Sequence, residues 1–166
     1  QRKKDPVVFN HDEGVRPDST AESLAKLRTL MPDGTVTAGN ASQQNDAAAA
    51  CLIVAEDALD ELGLVPIGYL NGWAAAGCDP SRMGIGPVPA TEKLAARSGF
   101  DSAAALLDSL DLVELNEAFA VQVLSVLEGW KCDDQDRLTV NGSGISLGHP
   151  SGATGVRMTT TLLHEL

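Results

Sequence analysis

The sequence predicts a layered α/β fold in which a mostly parallel mixed sheet is covered by helices, and three observations carry that prediction. Aliphatic runs of strand length alternate with segments of helical periodicity, as where "AAAACLIVA" is followed by "EDALDELG". Hydrophobic residues make up 43% of the chain and aromatic ones only 4%, so the core has to be aliphatic. Asn116 follows the apolar run "LDLVEL" and His149 follows "LTVN", at the points where strands of such sheets turn toward helices and ligands bind.

Residues 1–20 are polar and rich in Pro and Asp, a surface segment with "VVF" as its one candidate strand. "STAESLAKLRTLMP" spells an amphipathic helix. Ser19 and Thr20 offer the cap, Glu22 lies in the first turn, Leu24, Leu27 and Leu30 share a face, and Pro32 stops it. After the small polar "TVTAGNASQQND", residues 47–55 read as a buried strand, with a helical segment as the other option. "EDALDELG" is a helix ending at Gly63, and "PIGYLNGWAAAG" is a strand weakened by its glycines. The loop "CDPSRMGIGPVP" leads to the helices "ATEKLAARSG" and "SAAALLDSL", then to the strand "LDLVEL". Asn116 opens "NEAFAVQVLSVLEG". Only Gln122 and Ser125 are polar between Ala118 and Leu127, which predicts a helix buried on all sides. The polar linker "KCDDQDR" precedes the strand "LTVN", and a last helix begins near Ser151.

The length of 166 residues fits one domain or a piece of a larger one. A net charge of −11 sets nucleic acid aside, because phosphate-backbone binders carry a basic face and the only basic run here is "RKK" at residues 2–4. Cys51, Cys78 and Cys132 form no C-x-x-C pair, which points away from a disulfide framework or a zinc site and toward a reducing, cytoplasmic setting. No apolar run approaches the roughly 20 residues of a membrane span, and no membrane partner is expected. The chain begins with Gln1 rather than Met, which suggests a native polypeptide longer than this one.

"NGSGISLGHPSGATG" surrounds one imidazole with glycines just before the last helix. A nucleotide fingerprint is one candidate, since glycine-rich turns entering a helix cradle phosphate. The spacing of Gly142, Gly144 and Gly148 is G-x-G-x-x-x-G, and no G-K-[ST] follows, which argues against a nucleotide-binding oxidoreductase. An acyl-transfer site is the other candidate. His149 beside a helix N-terminus is favoured in its neutral form, able to accept a thiol proton or donate to an oxyanion. The plain alternatives are a buried histidine satisfied by a carbonyl, and an Asn116 that merely caps its helix.

Five segments, in order, resemble the C-terminal part of the thiolase family, the coenzyme-A-dependent acetyltransferases of β-ketoacyl-CoA metabolism. They are "RPDSTAESLAKLR", "GTVTAGNAS", "DPSRMGIGPVPA", "NEAFA" and "NGSGISLGHPSGATG". The resemblance implies one half of the duplicated thiolase fold, with residues 1–33 on the adenine side of coenzyme A and 34–166 an incomplete C-terminal domain. It implies that His149 activates a nucleophilic cysteine and lines an oxyanion hole, with Asn116 as its partner through a bound water. Ser42 would contact pantetheine, Arg16 and Ser23 the adenine end, and Met83 and Phe119 would wall the acyl pocket.

Coenzyme A thioesters are then the substrates, with no permanently bound cofactor. In the family an N-terminal cysteine takes the acyl group and a second cysteine, in a later glycine-rich loop, moves the proton at the acetyl α-carbon. Cys51, Cys78 and Cys132 match neither position, so the resemblance implies a missing half in the same or another chain, and a homodimer or homotetramer. Gln43 to Ala47 depart from the family's usual Gly-x-Asn-Asp-Gly, and Ser143 stands where a second glycine is common. A non-catalytic acyl-CoA or protein-binding module, or an inactive truncated piece, is the alternative reading.

Overall fold

The structure, a computed structural model, describes residues 8–166. The "RKK" run and Val7 lie outside them, and Val8 and Phe9 are exposed and unpaired. The helices are α1 (Ala21–Ala25), α2 (Leu59–Leu62), α3 (Pro87–Arg97), α4 (Ala103–Asp108), α5 (Ala120–Trp130) and α6 (Thr154–Glu165). Short 3₁₀ segments at Glu56–Ala58 and Pro80–Ile85 lead into α2 and α3.

Each of the better-formed helices starts and stops where the local chemistry dictates. Ser102 Oγ accepts from Ala105 N–H at 3.1 Å and caps α4. Pro87 occupies the first turn of α3, and Gly63 ends α2 in the left-handed conformation. α1 is shorter than its sequence periodicity suggests. Thr20 and Ser23 form a reciprocal capping box, but the chain leaves the helix at Lys26 and folds back so that Thr29 bridges Thr37.

The core lies between α3, α4 and α5. Ala103, Leu107, Leu115, Val126, Leu127 and Trp130 form one buried cluster, with Val88, Val113 and Leu138 packed on its margin. α5 approaches α3 closely at Gly129, where a Cβ would stand 2.6 Å from a Val88 methyl. The expectation of a helix buried on all sides is corrected: Val126, Leu127 and Trp130 are buried, while Val121 and Leu124 on the opposite face are exposed. Arg137 ties the linker after α5 to α4, donating to Leu107 C=O at 2.7 Å and pairing with Asp134 at 3.0 Å.

Strand pairing among the described residues is confined to isolated bridges. Val113 pairs with Leu138 in parallel, flanking α5 as a βαβ crossover, whereas Thr29 with Thr37 and Ala41 with Phe119 are antiparallel. Residues 47–55 and 66–77, read as strands from their composition, run without strand partners, although the Ala75 and Trp73 C=O groups accept from the Lys93 and Arg97 side chains of α3. Ile53 and Ile67 are 82% and 72% exposed. The reason is physical: a strand satisfies its N–H and C=O groups only across a neighbour, and no such neighbour lies beside these segments among the described residues.

Candidate active site

Three segments distant in sequence meet around the glycine loop. Ser42 N–H donates to Ala118 C=O and Ala120 N–H donates to Asn40 C=O, both at 2.9 Å, which stitches "GNAS" antiparallel to "NEAFA". One residue on, Gln43 C=O accepts from His149 N–H at 2.9 Å, and Asn45 Oδ1 accepts from the same N–H at 3.2 Å. Gly148 supports this approach: its φ is +104°, and a Cβ there would collide with the Asn45 carboxamide.

His149 is half-buried, and its Nδ1 lies 2.8 Å from Thr154 Oγ1, which in turn donates to Pro150 C=O at 3.0 Å. Pro150 C=O also accepts from Ala153 N–H, so a turn separates the imidazole from α6, whose N-cap is Ala153 rather than a residue near Ser151. Asn116 is not a helix cap either. α5 begins four residues later, with Phe119 at its N-cap position, and the Asn116 Oδ1 is buried without a hydrogen-bond partner. That oxygen sits 3.0 Å from where a Gly144 Cβ would be. The glycine loop therefore closes on Asn116 from one side while its far end carries His149.

Behind the site, Glu114, next to the Val113 bridge, faces Arg157 on α6 at 3.9 Å. The Glu114 side chain is 8% exposed, and burial raises its carboxyl above the ordinary value of 4.5; the Arg157 charge opposes that rise and the Glu117 charge adds to it. An open cleft of about 1060 Å³ runs beside His149, lined by His11, Gln43, Asn45, Gly148, Pro150 and Arg157. A second, apolar cleft of about 520 Å³ separates α6 from Leu107, Leu115 and Trp130.

The remaining sequence-predicted residues divide. Ser42 is half-buried and Phe119 is 40% exposed, and both stand in the strip that reaches the glycine loop. Met83, largely exposed, sits in the 3₁₀ segment that packs on α5. Arg16 spends its guanidinium on Glu13 and Val15 carbonyls, and the Ser23 hydroxyl completes the α1 capping box. No hydrogen bond among the described residues brings either to His149. Asn45, which accepts from the His149 backbone N–H, and Thr154, which meets its imidazole, were not singled out as site residues from sequence. The signal for Thr154 was its position four residues after Pro150, a spacing at which a hydroxyl bonds back to a carbonyl.

These features define the class: an α/β protein whose helix-packed core carries a glycine loop that closes on Asn116 near one end and bears His149 at the other. Comparison with known proteins narrows it. Residues 64–166 match the thiolase C-terminal domain and residues 1–57 the thiolase N-terminal domain. The acetyl-CoA acetyltransferase of Chromobacterium violaceum is 50% identical over all of this chain and 41% of its own length. The crystal structure of the Bacillus anthracis acetyl-CoA acetyltransferase superposes with a TM-score of 0.86 at 46% identity, covering 100% of this chain and 41% of that one. Human mitochondrial 3-ketoacyl-CoA thiolase in complex with CoA gives 0.81 at 42%, covering 95% and 39%. The chain belongs to the thiolase family. It spans about two fifths of the length of the relatives it matches.

Proposed function

We propose that this chain supplies the imidazole and carboxamide of a thioester acyl-transfer site, serving thiolysis of 3-ketoacyl-CoA or Claisen condensation of acetyl-CoA. The observation that carries the reading is the pair of backbone bonds from Ser42 to Ala118 and from His149 to Gln43, which joins the three site segments.

With the Thr154 hydroxyl hydrogen given to Pro150 C=O, Nδ1 of His149 donates to Oγ1 and Nε2 is left with a lone pair. Nε2 takes the proton of a cysteine thiol as sulfur bonds to the 3-keto carbon in thiolysis, or to the thioester carbon of acetyl-CoA in condensation, and the carbonyl oxygen gains the negative charge. Nε2–H and Asn116, through a water, then hold that oxyanion. Its collapse breaks the C2–C3 bond, releasing acetyl-CoA once that carbon is protonated, or the C–S bond, releasing coenzyme A as its sulfur regains a proton. The resemblance places the thiol at none of the three cysteines here, Cys51, Cys78 and Cys132, since they match neither of the family's cysteine positions.

Coenzyme A thioesters enter as substrates, with Ser42 on pantetheine and Met83 and Phe119 beside the acyl group. Residues 1–33, with Arg16 and Ser23, face the adenine end. The mostly parallel sheet is completed by the remainder of a thiolase-length fold, in the same or a second chain, within a cytoplasmic homo-oligomer.

The test is thiolysis of acetoacetyl-CoA by the complete expressed polypeptide. His149→Ala is expected to lower kcat by about 10²- to 10⁴-fold, the usual range for a lost general base. An unchanged rate would remove His149 from the chemistry. Acyl-CoA binding without turnover would favour a binding module, and an intact denatured mass above 17.3 kDa would place the missing half in the same chain.

A further inference from the structure

Ser143 has no exposed surface at all, and its hydroxyl lies between the two peptide groups that flank Asn116. Ser143 Oγ donates to Leu115 C=O at 3.1 Å and accepts from Glu117 N–H at 3.3 Å. Leu115 C=O belongs to the peptide plane entering Asn116, and Glu117 N–H to the plane leaving it. The relative rotation of those planes is the φ and ψ of Asn116, which sets the direction of its Cα–Cβ bond and so the base from which its carboxamide projects.

The same residue is tied to the other half of the site. Ser143 C=O accepts from Leu147 N–H at 2.7 Å, two residues before His149, and Ser143 N–H donates to Ser146 Oγ at 3.1 Å. Neighbouring contacts reinforce the join. Ile145 N–H donates to Glu117 Oε2 at 3.3 Å, and at Gly144 a Cβ would stand 2.7 Å from Glu117 C=O. Polar atoms buried to this degree are held in place by their partners, since water offers no substitute.

We propose that Ser143 is a positioning residue that fixes the Asn116 carboxamide relative to His149, acting through the peptide groups on either side of Asn116. The proposal rests on the acyl-transfer reading given above. Ser143 touches no substrate. Its hydroxyl does its work from inside the loop, at a position where glycine would remove the partner the two peptide groups share, leaving Leu115 C=O only the longer bond from Thr139 Oγ1 at 3.4 Å.

The test is a double-mutant cycle in the complete expressed polypeptide, with thiolysis of acetoacetyl-CoA as the readout. Ser143→Ala, which removes one oxygen, should lower kcat by about 10-fold or more while the KM for coenzyme A stays within about 2-fold. In an Asn116→Ala background the same change should cost almost nothing, because coupled residues are non-additive. A merely structural role would lower activity equally in both backgrounds, and that result, or an unchanged kcat, overturns the proposal. Should Ser143→Ala fold poorly, Ser143→Cys, which keeps a weak donor, is read through the same cycle. If the wild-type polypeptide shows no thiolysis, the acyl-transfer reading fails by itself, and amide hydrogen exchange decides the positioning claim. Glu117 N–H should then exchange about 10-fold faster in Ser143→Ala while amides inside α3 are unchanged; equal Glu117 rates would overturn it.

Discussion

The two tryptophans stand in regions that differ in how their backbones are satisfied. Trp130 ends α5 and is 5% exposed within the cluster of Leu107, Leu115 and Val126. Trp73 lies in the unpaired stretch 66–77, is 63% exposed, and has the Arg97 guanidinium 5.3 Å from its ring as a neighbour. Both segments are apolar. The difference teaches that helices close their hydrogen bonds internally and can pack at once, whereas strand-forming sequence stays open until another strand is offered.

Hydrogen exchange should show the widest contrast. In a polypeptide of these 166 residues, amides within 47–55 and 66–77 should exchange about 10³-fold or more faster than those at the centre of α5. Comparable protection would mean that the extended region has found a partner, and finding that protection only in a longer polypeptide would identify the rest of the fold as the cover.

Truncating the two rings comes next. Trp130→Ala should cost about 3–5 kcal/mol in chemical denaturation, as expected for an aromatic removed from a packed core. Trp73→Ala should cost less than about 1 kcal/mol, the scale of an exposed cation–π contact. Similar losses would erase the distinction. Iodide should likewise quench the fluorescence of Trp73 in a Trp130→Phe protein and leave Trp130 largely unquenched in a Trp73→Phe protein.

The smallest effect concerns Glu114, at the boundary of the packed region. Its folded-state pKa is raised, so the folded protein binds more protons than the unfolded chain between the ordinary value of 4.5 and the raised one. Stability should therefore fall as pH rises through that interval, and Glu114→Gln should flatten that part of the curve. An identical pH dependence in the variant would show that burial of Glu114 contributes nothing.

Helical elements were legible because their signals are local. Ser102 and Gly63 mark ends that the structure keeps, whereas α3 begins at Pro87, inside the stretch read as loop. The strands were not, because pairing depends on what lies alongside, and periodicity reports only which residues are apolar. Asn116 looked like a cap because asparagine favours that role; the antiparallel strip between residues 40–42 and 118–120 instead delays α5 to Ala120. The site segments around Ser42, Asn116 and His149 were visible through family resemblance. The buried hydroxyl of Ser143 was not, since it bonds to backbone 26 and 28 residues away, a separation that no short motif encodes.

The contact between Asn45 and His149 joins residues 104 positions apart, whereas α3, α4 and α5 pack against near neighbours in the chain. Closing so long a loop is entropically costly and comes after shorter closures have formed, so the order of assembly is written into this geometry. During refolding, the Val126 amide should gain protection before the His149 amide, and simultaneous protection would refute that order. His149 can meet its Thr154 partner, five residues on, early, but its N–H reaches Gln43 and Asn45 late. A chain interrupted during synthesis or folding would hold a helical nucleus with its histidine still facing water.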